Sequence, residues 1–498
     1  MSATAVGQAF DDSRAQSEQI VGWLAGEDAA GMTHDELERQ LDLQGRELLR
    51  RLLQDHLDLR AHQERRLAEV ADDAGVPRTT TEPSVRALAT VFGCVQVRRL
   101  AYRRSSHANL HPADAGLNLP AGRHSHGLRR LAAIEASRGS FDAAQDAIAR
   151  GCGQSMGKRQ VEALAQAAAV DFDAFYAHHL PPPAQATDAL VISCDGKGIV
   201  MRPDALRPAT AKAAQASSTK LASRLSRGEK RCRVRMAEVG AVYDIRLVAR
   251  SPDDIMNRND LPEDQPSAPQ ASGKWLTASV VDDAAEVITH VFDEALRRDP
   301  DQQRTWVALV DGNNHQIATI RNQADSRNLT VHVLIDFIHV LEYLWAAAWS
   351  FFDEADPAAE AWVAGKATLV LEGKALQVAT GIRRRATRNR LDRSRRRNAD
   401  KAATYLTNKA AYLDYPTALT RGWPIATGII EGACRHLVKD RMDLTGARWG
   451  LHGAEAVLKL RALQSNGDLD DYFQFHLAQE HQRNHRSRYA DQRIPQAA

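Results

Sequence analysis

Three apolar runs in this chain each end on an aspartate: ALVISC before Asp195, TWVALV before Asp311 and TVHVLI before Asp336. A short, continuously apolar run reads as a strand buried on both faces, such as those at the centre of a sheet flanked by helices. At the carboxyl ends of such strands the backbone turns out of the core, and sites in open α/β sheets collect there. Asp195 and Asp311 are each followed by a glycine, which lets the chain leave a strand at unusual backbone angles and lets a substrate come close. A single strand-ending aspartate most often just caps the next turn. Several on one sheet favour a chemical role.

A further carboxylate sits in GWPIATGIIEGACRHLVKDRMDLTGARWG. On a helix beginning after Thr427, Glu431, Arg435 and Lys439 share one face at steps of four, while Ile430, Cys434 and Leu437 turn inward. An ordinary solvated helix with an ion pair fits the same spacing. Arg441, Arg448 and Trp449 follow at once and read as a phosphate-binding and stacking set. Carboxylates that converge on one point repel one another unless divalent cations neutralise them. Oxygen-only ligation favours Mg²⁺ or Mn²⁺ over zinc. Two such ions, roughly 3.5 to 4 Å apart, can activate an attacking oxygen and stabilise a leaving one in phosphoryl transfer.

The elements that must position these residues are legible in outline. Residues 14–71 read as helix, with Thr33 and Glu36 in capping-box spacing. A hairpin around Gly93 is expected to gather arginines on one face. Residues 125–180 alternate helices with short Gly or Ser breaks, compatible with helix-turn-helix or with a plain helical domain. HLPPPAQATDA makes a linker, because three prolines cannot continue a helix. Strand 189–194, one or two strands in RVRMAEVGAVYDIRLVAR, a helix over 276–298, strand 305–310, a short helix and strand 329–335 then compose an α/β unit. Residues 340–425 read as an all-helical insertion. The expected divisions are 1–80, 81–180, 186–339, 340–425 and 426–498.

Composition narrows the partners. Across 498 residues, 65 Lys and Arg stand against 63 Asp and Glu, a net charge of +2, so any attraction to a polyanion must come from local clusters. Residues 381–401 hold nine arginines and one lysine against two aspartates. Arg383, Arg384, Arg385, Arg388, Arg395, Arg396 and Arg397 are its candidates for phosphate neutralisation, which carries no sequence code by itself. A second basic run spans 220–235. Five scattered cysteines form no CxxC pair, which argues against a zinc finger or a disulfide framework and for a reducing, cytoplasmic setting. No stretch reads as a membrane span or a signal peptide. GCGQSMGKRQ imitates a phosphate loop but has Cys152 where the motif needs glycine and Arg159 where it needs Ser or Thr.

Taken in order, SCDGKG, ALVDGNNHQ, LIDFIHVLEYLW, GWPIATGIIEGACRHLVKDRMDLTGARWG and VLKLRAL resemble the ISKra family of bacterial insertion-sequence transposases, distant relatives of the Mutator-like elements. The resemblance reaches back through GSFDAA and covers most of the chain. It implies an α/β RNase H-like catalytic domain with a mainly helical N-terminal region and an all-α insertion. It also implies a DDE triad of Asp195, Asp311 and Glu431 holding two Mg²⁺ or Mn²⁺ ions. Asp336 and His339 match the D-x-x-H element of related transposases, with Asp336 as a supporting group or a direct ligand, and His339 orienting a phosphate or a carboxylate or simply satisfied inside its helix. Double-stranded DNA, both the element's terminal repeats and the target, is the implied partner, met in the cytoplasm at the nucleoid. Joining two ends calls for a dimer or higher assembly. A transposase-derived regulator that binds without cutting, and a nuclease or resolvase of the same fold, are the alternatives.

Overall fold

The computed structural model describes residues 9–181, 184–216, 233–256, 270–426, 428–444 and 446–496. Two units emerge: Met1–His178 together with Gly467–Ala498, and His179–Asn466. The expected piece 426–498 is therefore divided, because its last helix, Leu469–Asn484, belongs to the N-terminal unit.

In that unit the expected helix over 14–71 becomes Asp11–Leu24 and His34–Gln63. The second starts at the Thr33 and Glu36 capping box. Strands β1 (Thr80–Thr90) and β2 (Gly93–Arg103) form the hairpin. Its arginines do not gather on one face. Neighbours along a strand point to opposite faces, so Arg98 reaches Asp58 at 2.5 Å while Arg99 is buried on Asp114 at 2.9 Å. Helices His126–Arg138, Phe141–Cys152, Lys158–Ala168 and Phe172–His178 follow, the first two capped by Ser125 and Ser140. The false phosphate loop is the end of a helix, closed by left-handed Gly153.

A buried charge network fixes Leu469–Asn484 to these helices. The Arg483 guanidinium donates to both oxygens of Asp171, at 2.6 and 2.8 Å, and His476 Nδ1 lies 2.6 Å from the same carboxylate. Arg129 and Arg483 both donate to Glu480, at 2.7 and 3.0 Å. Burial alone would raise the Glu480 carboxyl, but these two bonds outweigh it and hold it down at about 2. A depressed carboxyl contributes stability above its unfolded value, about 4.3, and that contribution is lost as pH falls towards 2. Acid titration should therefore unfold the N-terminal unit over that window, and Glu480→Gln should flatten the response; an identical acid profile in the variant would show that Glu480 is not held this way. Removing residues 467–498 should expose helices 126–178 to proteolysis, whereas a protease-resistant N-terminal unit in the truncated chain would contradict this division.

The second unit is built on a mixed five-stranded sheet of order β5-β4-β3-β6-β7. Its strands are β3 (Ala189–Val200), β4 (Val234–Ile245), β5 (Ala271–Ser279), β6 (Trp306–Val310) and β7 (Val331–Ile335). Strands β3, β4 and β5 form an antiparallel meander, while β6 pairs parallel to β3 and β7 parallel to β6. Helix Ala284–Arg298 connects β5 to β6, and Asn314–Ser326 connects β6 to β7. The helix expected over 276–298 starts only at Ala284, where Asp283 and Glu286 make a capping box. Leu276 belongs to β5, whose stretch Trp275–Ser279 is buried throughout, so neither helical nor strand periodicity shows in that run. Helix Phe337–Ala348 and the four helices Pro357–Leu371, Ala375–Arg388, Arg393–Asn408 and Tyr415–Arg421 supply the all-helical insertion.

At the end of the sheet opposite the candidate acids, Asp244 accepts from Arg304 at 2.6 Å and from Arg298 at 3.5 Å. Arg298 also donates to Glu294 at 2.7 Å. All four side chains are about 95% buried or more.

Candidate active site

Parallel pairing sets the three aspartates in one row. Ser193 is opposite Leu309 and Leu309 is opposite Leu334, so Asp195, Asp311 and Asp336 each lie two positions further on. The Asp336 N–H continues this ladder, donating to Val310 O at 2.9 Å. Neighbouring strands run about 4.8 Å apart, and positions two residues apart share a face. Asp195 and Asp311 therefore leave the same face of the sheet side by side.

The glycines beside them act in two different ways. Strand β3 does not stop at Asp195 but continues through Gly196 and Gly198 to Val200. These glycines make room for β4: a Cβ on Gly196 would stand 2.9 Å from Glu238 Oε2, and one on Gly198 2.4 Å from a methyl of Val234. Gly312 does turn the chain, at φ +94°, and a Cβ there would press on the Tyr405 hydroxyl at 2.9 Å.

Main-chain and thiol donors orient the carboxylates. Asp195 Oδ1 accepts from the Gly196 N–H at 2.7 Å, and Asp311 Oδ1 from the Asn313 N–H at 2.7 Å. The Cys434 thiol donates to Asp195 Oδ2 at 3.3 Å. Burial, with the charge and hydrogen bond of Asp195 adding to it, pushes that thiol far above its ordinary value. It therefore stays a donor, and Asp195 the acceptor.

Cys434 brings in the helix that carries Glu431. Glu431, Arg435 and Lys439 are exposed on it as expected, and Cys434 and Leu437 are buried. The helix is not regular: Ile429–Ala433 is α-helical, but Cys434–Lys439 is a π-turn. Arg461 donates to the carbonyls of His436 and Leu437, the latter at 3.0 Å, which supports backbone groups that the wider turn displaces. Arg435 and His436 both pair with Asp440, at 3.8 and 3.4 Å.

Among the described residues, no group of three His, Cys, Asp or Glu side chains stands close enough to hold one ion. Asp195 and Asp311 suit a hard divalent cation by donor type and adjacency. Glu431 does not close a three-ligand group with them.

Asp336 is 8% exposed and caps the next helix, accepting from the Ile338 N–H at 2.8 Å. His339 Nδ1 lies 3.3 Å from Glu342 Oε2 on the same helix. Arg441 and Trp449 do not present a phosphate-and-stacking surface. Arg441 is 2% exposed and Trp449 4%, with the guanidinium 4.6 Å above the indole ring. Trp449 extends the end of β3: its N–H donates to Val200 O at 3.1 Å, and its carbonyl accepts from the Arg202 N–H at 2.8 Å. Arg448 remains exposed.

In the helical insertion, Arg383, Arg384, Arg388, Arg395 and Arg397 are exposed. Arg385 instead lies over Phe352 at 4.5 Å and Phe351 at 4.9 Å, and Arg396 pairs with Asp400 at 3.0 Å. Those two are partly spent inside the fold. Of the second basic run, residues 220–232 lie outside the described residues.

Two features were not foreseen. Glu238 sits beside Gly196 on the sheet face away from Asp195, and burial, then the Asp195 charge, raises its carboxyl; only the pairing of β3 with β4 brings it there. The insertion also clamps two strand ends through tyrosines. Tyr405 OH donates to Asp311 O and Tyr415 OH to Ile335 O, each at 2.9 Å, and the Tyr405 ring stacks on Tyr343 at 3.8 Å. Tyr405→Phe should cost about 0.5 to 1.5 kcal/mol through the lost bond and loosen the turn at Asp311, measurable as faster amide exchange at Gly312; unchanged exchange would show that the hydroxyl does not hold this turn.

The chain matches no protein-family model and no curated protein.

Proposed function

We propose that the chain is a DNA transposase that cuts at the ends of its own element and joins the freed 3′ hydroxyl to target DNA. The observation that carries this reading is the row of Asp195 within β3 and Asp311 just past the end of the neighbouring parallel strand β6, with the Glu431 helix tied to Asp195 through Cys434. The strand order, with only β4 antiparallel to the rest, supports an RNase H-like catalytic unit, as the resemblance to ISKra transposases implies.

Asp195 and Asp311 would hold the divalent ions, Mg²⁺ or Mn²⁺, which when bound supply charge neutralisation and an activated oxygen. The chain's own residues do the rest. Cys434 fixes one Asp195 oxygen while remaining protonated, and Tyr405 fixes the backbone beneath Asp311. Arg435, Lys439, Arg448 and the exposed arginines of 383–397 would neutralise DNA phosphates, giving binding that falls steeply with salt. Water and a DNA hydroxyl act in turn as nucleophiles, so no covalent protein intermediate is required.

Purified protein, a DNA fragment carrying the native flanks of the coding region and Mg²⁺ or Mn²⁺ test this reading. Breaks at defined ends, followed by joined products, are expected; breaks without joining would make the chain a nuclease or resolvase. The rival reading, a transposase-derived regulator, would bind the flanks without cutting them under any metal.

A further inference from the structure

The N-terminal unit contains a second charged feature, remote in sequence from the acids. A cavity of about 470 Å³ is lined by Arg86, Arg99, His111, Asp114, His485 and Arg488, among others. The hairpin supplies two of the cations from one face, since Arg86 pairs with Val97 and Arg99 with Ser84 in its register. The segment after helix Leu469–Asn484 supplies His485 and Arg488.

Main-chain carbonyls hold Arg86, Arg488 and the two histidines, while Arg99 is held by side chains, its Nη1 donating to Ser84 Oγ at 3.2 Å. Arg86 Nη2 donates to Pro120 O at 2.5 Å and also to Gly122 O. Arg99 Nε donates to Asp114 at 2.9 Å, and Arg488 Nη2 to Asn109 O at 2.8 Å. His111 Nδ1 lies 3.1 Å from Leu100 O, and His485 Nε2 2.9 Å from Leu119 O. Carbonyls orient a guanidinium without cancelling its charge. Three arginines thus face one carboxylate, Asp114, while Arg483 at the rim is already paired with Asp171 and Glu480. The crowding is felt locally: burial, then the charge of Arg99, lowers His111.

We propose that this cavity binds a phosphate group. Guanidinium forks held in place by carbonyls match phosphate oxygens in a geometry that ammonium groups do not offer. The volume falls within the roughly 300 to 1,000 Å³ usual for small-ligand sites. The phosphate belongs either to a free phosphorylated small molecule or to a DNA backbone, and the inference stands apart from the cleavage reaction.

Calorimetry on the full chain, in phosphate-free buffer, would titrate inorganic phosphate and separately a random-sequence 20-base-pair duplex. Wild type would be compared with Arg488→Gln and, as a change that leaves every guanidinium in place, His111→Gln. One phosphate per chain, bound at least tenfold more weakly by either variant of unchanged thermal midpoint, supports a free ligand. No heat with phosphate, but duplex binding weakened tenfold in Arg488→Gln, supports a backbone phosphate. Phosphate and duplex binding equal to wild type in both variants overturns the proposal.

Discussion

Asp195→Asn is expected to lower cleavage at the element ends by more than about 10³-fold, the scale seen when one member of a catalytic group that acts as a unit is removed. Asparagine keeps the shape, and with its oxygen accepting from the Gly196 N–H its amide can donate to the Cys434 sulfur, so the packing of the Glu431 helix survives. Thermal stability and salt-dependent DNA binding should stay close to wild type. Asp311→Asn should behave alike, because it leaves the same sheet face one strand away. Glu431→Gln is the decisive companion, since Glu431 is exposed and does not close a three-ligand group. Its loss should also remove cleavage if DNA draws that helix inward. Full cleavage by any one of the three variants would exclude that residue from the reaction.

Asp244→Ala should have the largest effect on folding, about 3 to 5 kcal/mol of lost stability, because removing one partner strands the others as buried, uncompensated charge. Arg298 and Arg304 are each 4% exposed and both point at this carboxylate. Asp244 pairs with Leu190, at the far end of β3 from Asp195, so the substitution reaches the row of acids only through global unfolding. Urea denaturation of the full chain, followed in the presence and absence of the substitution, would read this directly. A midpoint within error of wild type would show that the two guanidiniums find other partners.

The row of acids was legible because buried parallel strands write themselves as unbroken apolar runs, and a carboxylate ending such a run stands out. The helical insertion was legible for the opposite reason, its lack of strand alternation, and Thr33 with Glu36 announced a helix start by chemistry alone. What escaped depends on neighbours distant in sequence. Whether Gly196 ends a strand or lets one pass under Glu238 is decided by β4, more than thirty residues away. Arg441 and Trp449 have the composition of a DNA surface, yet stacking on each other and extending β3 takes them inside. Arg99 likewise reads as one of several surface arginines until Asp114 buries it. The start of helix Ala284–Arg298 was within reach: Asp283 and Glu286 carry the same signature as Thr33 and Glu36, but the apolar run before them drew the boundary too early.

The return of residues 467–498 to the N-terminal unit has a consequence on the ribosome. Domains tend to fold as units while synthesis proceeds, the first-made part first. Here that order is inverted. All of His179–Asn466 can emerge and close its sheet before the helices of 126–178 meet Asp171's partners His476 and Arg483. During that interval the helices of 126–178 wait without those partners, while the acids are already in place. A message cut short before residue 467 would yield the row of acids without the completed N-terminal unit.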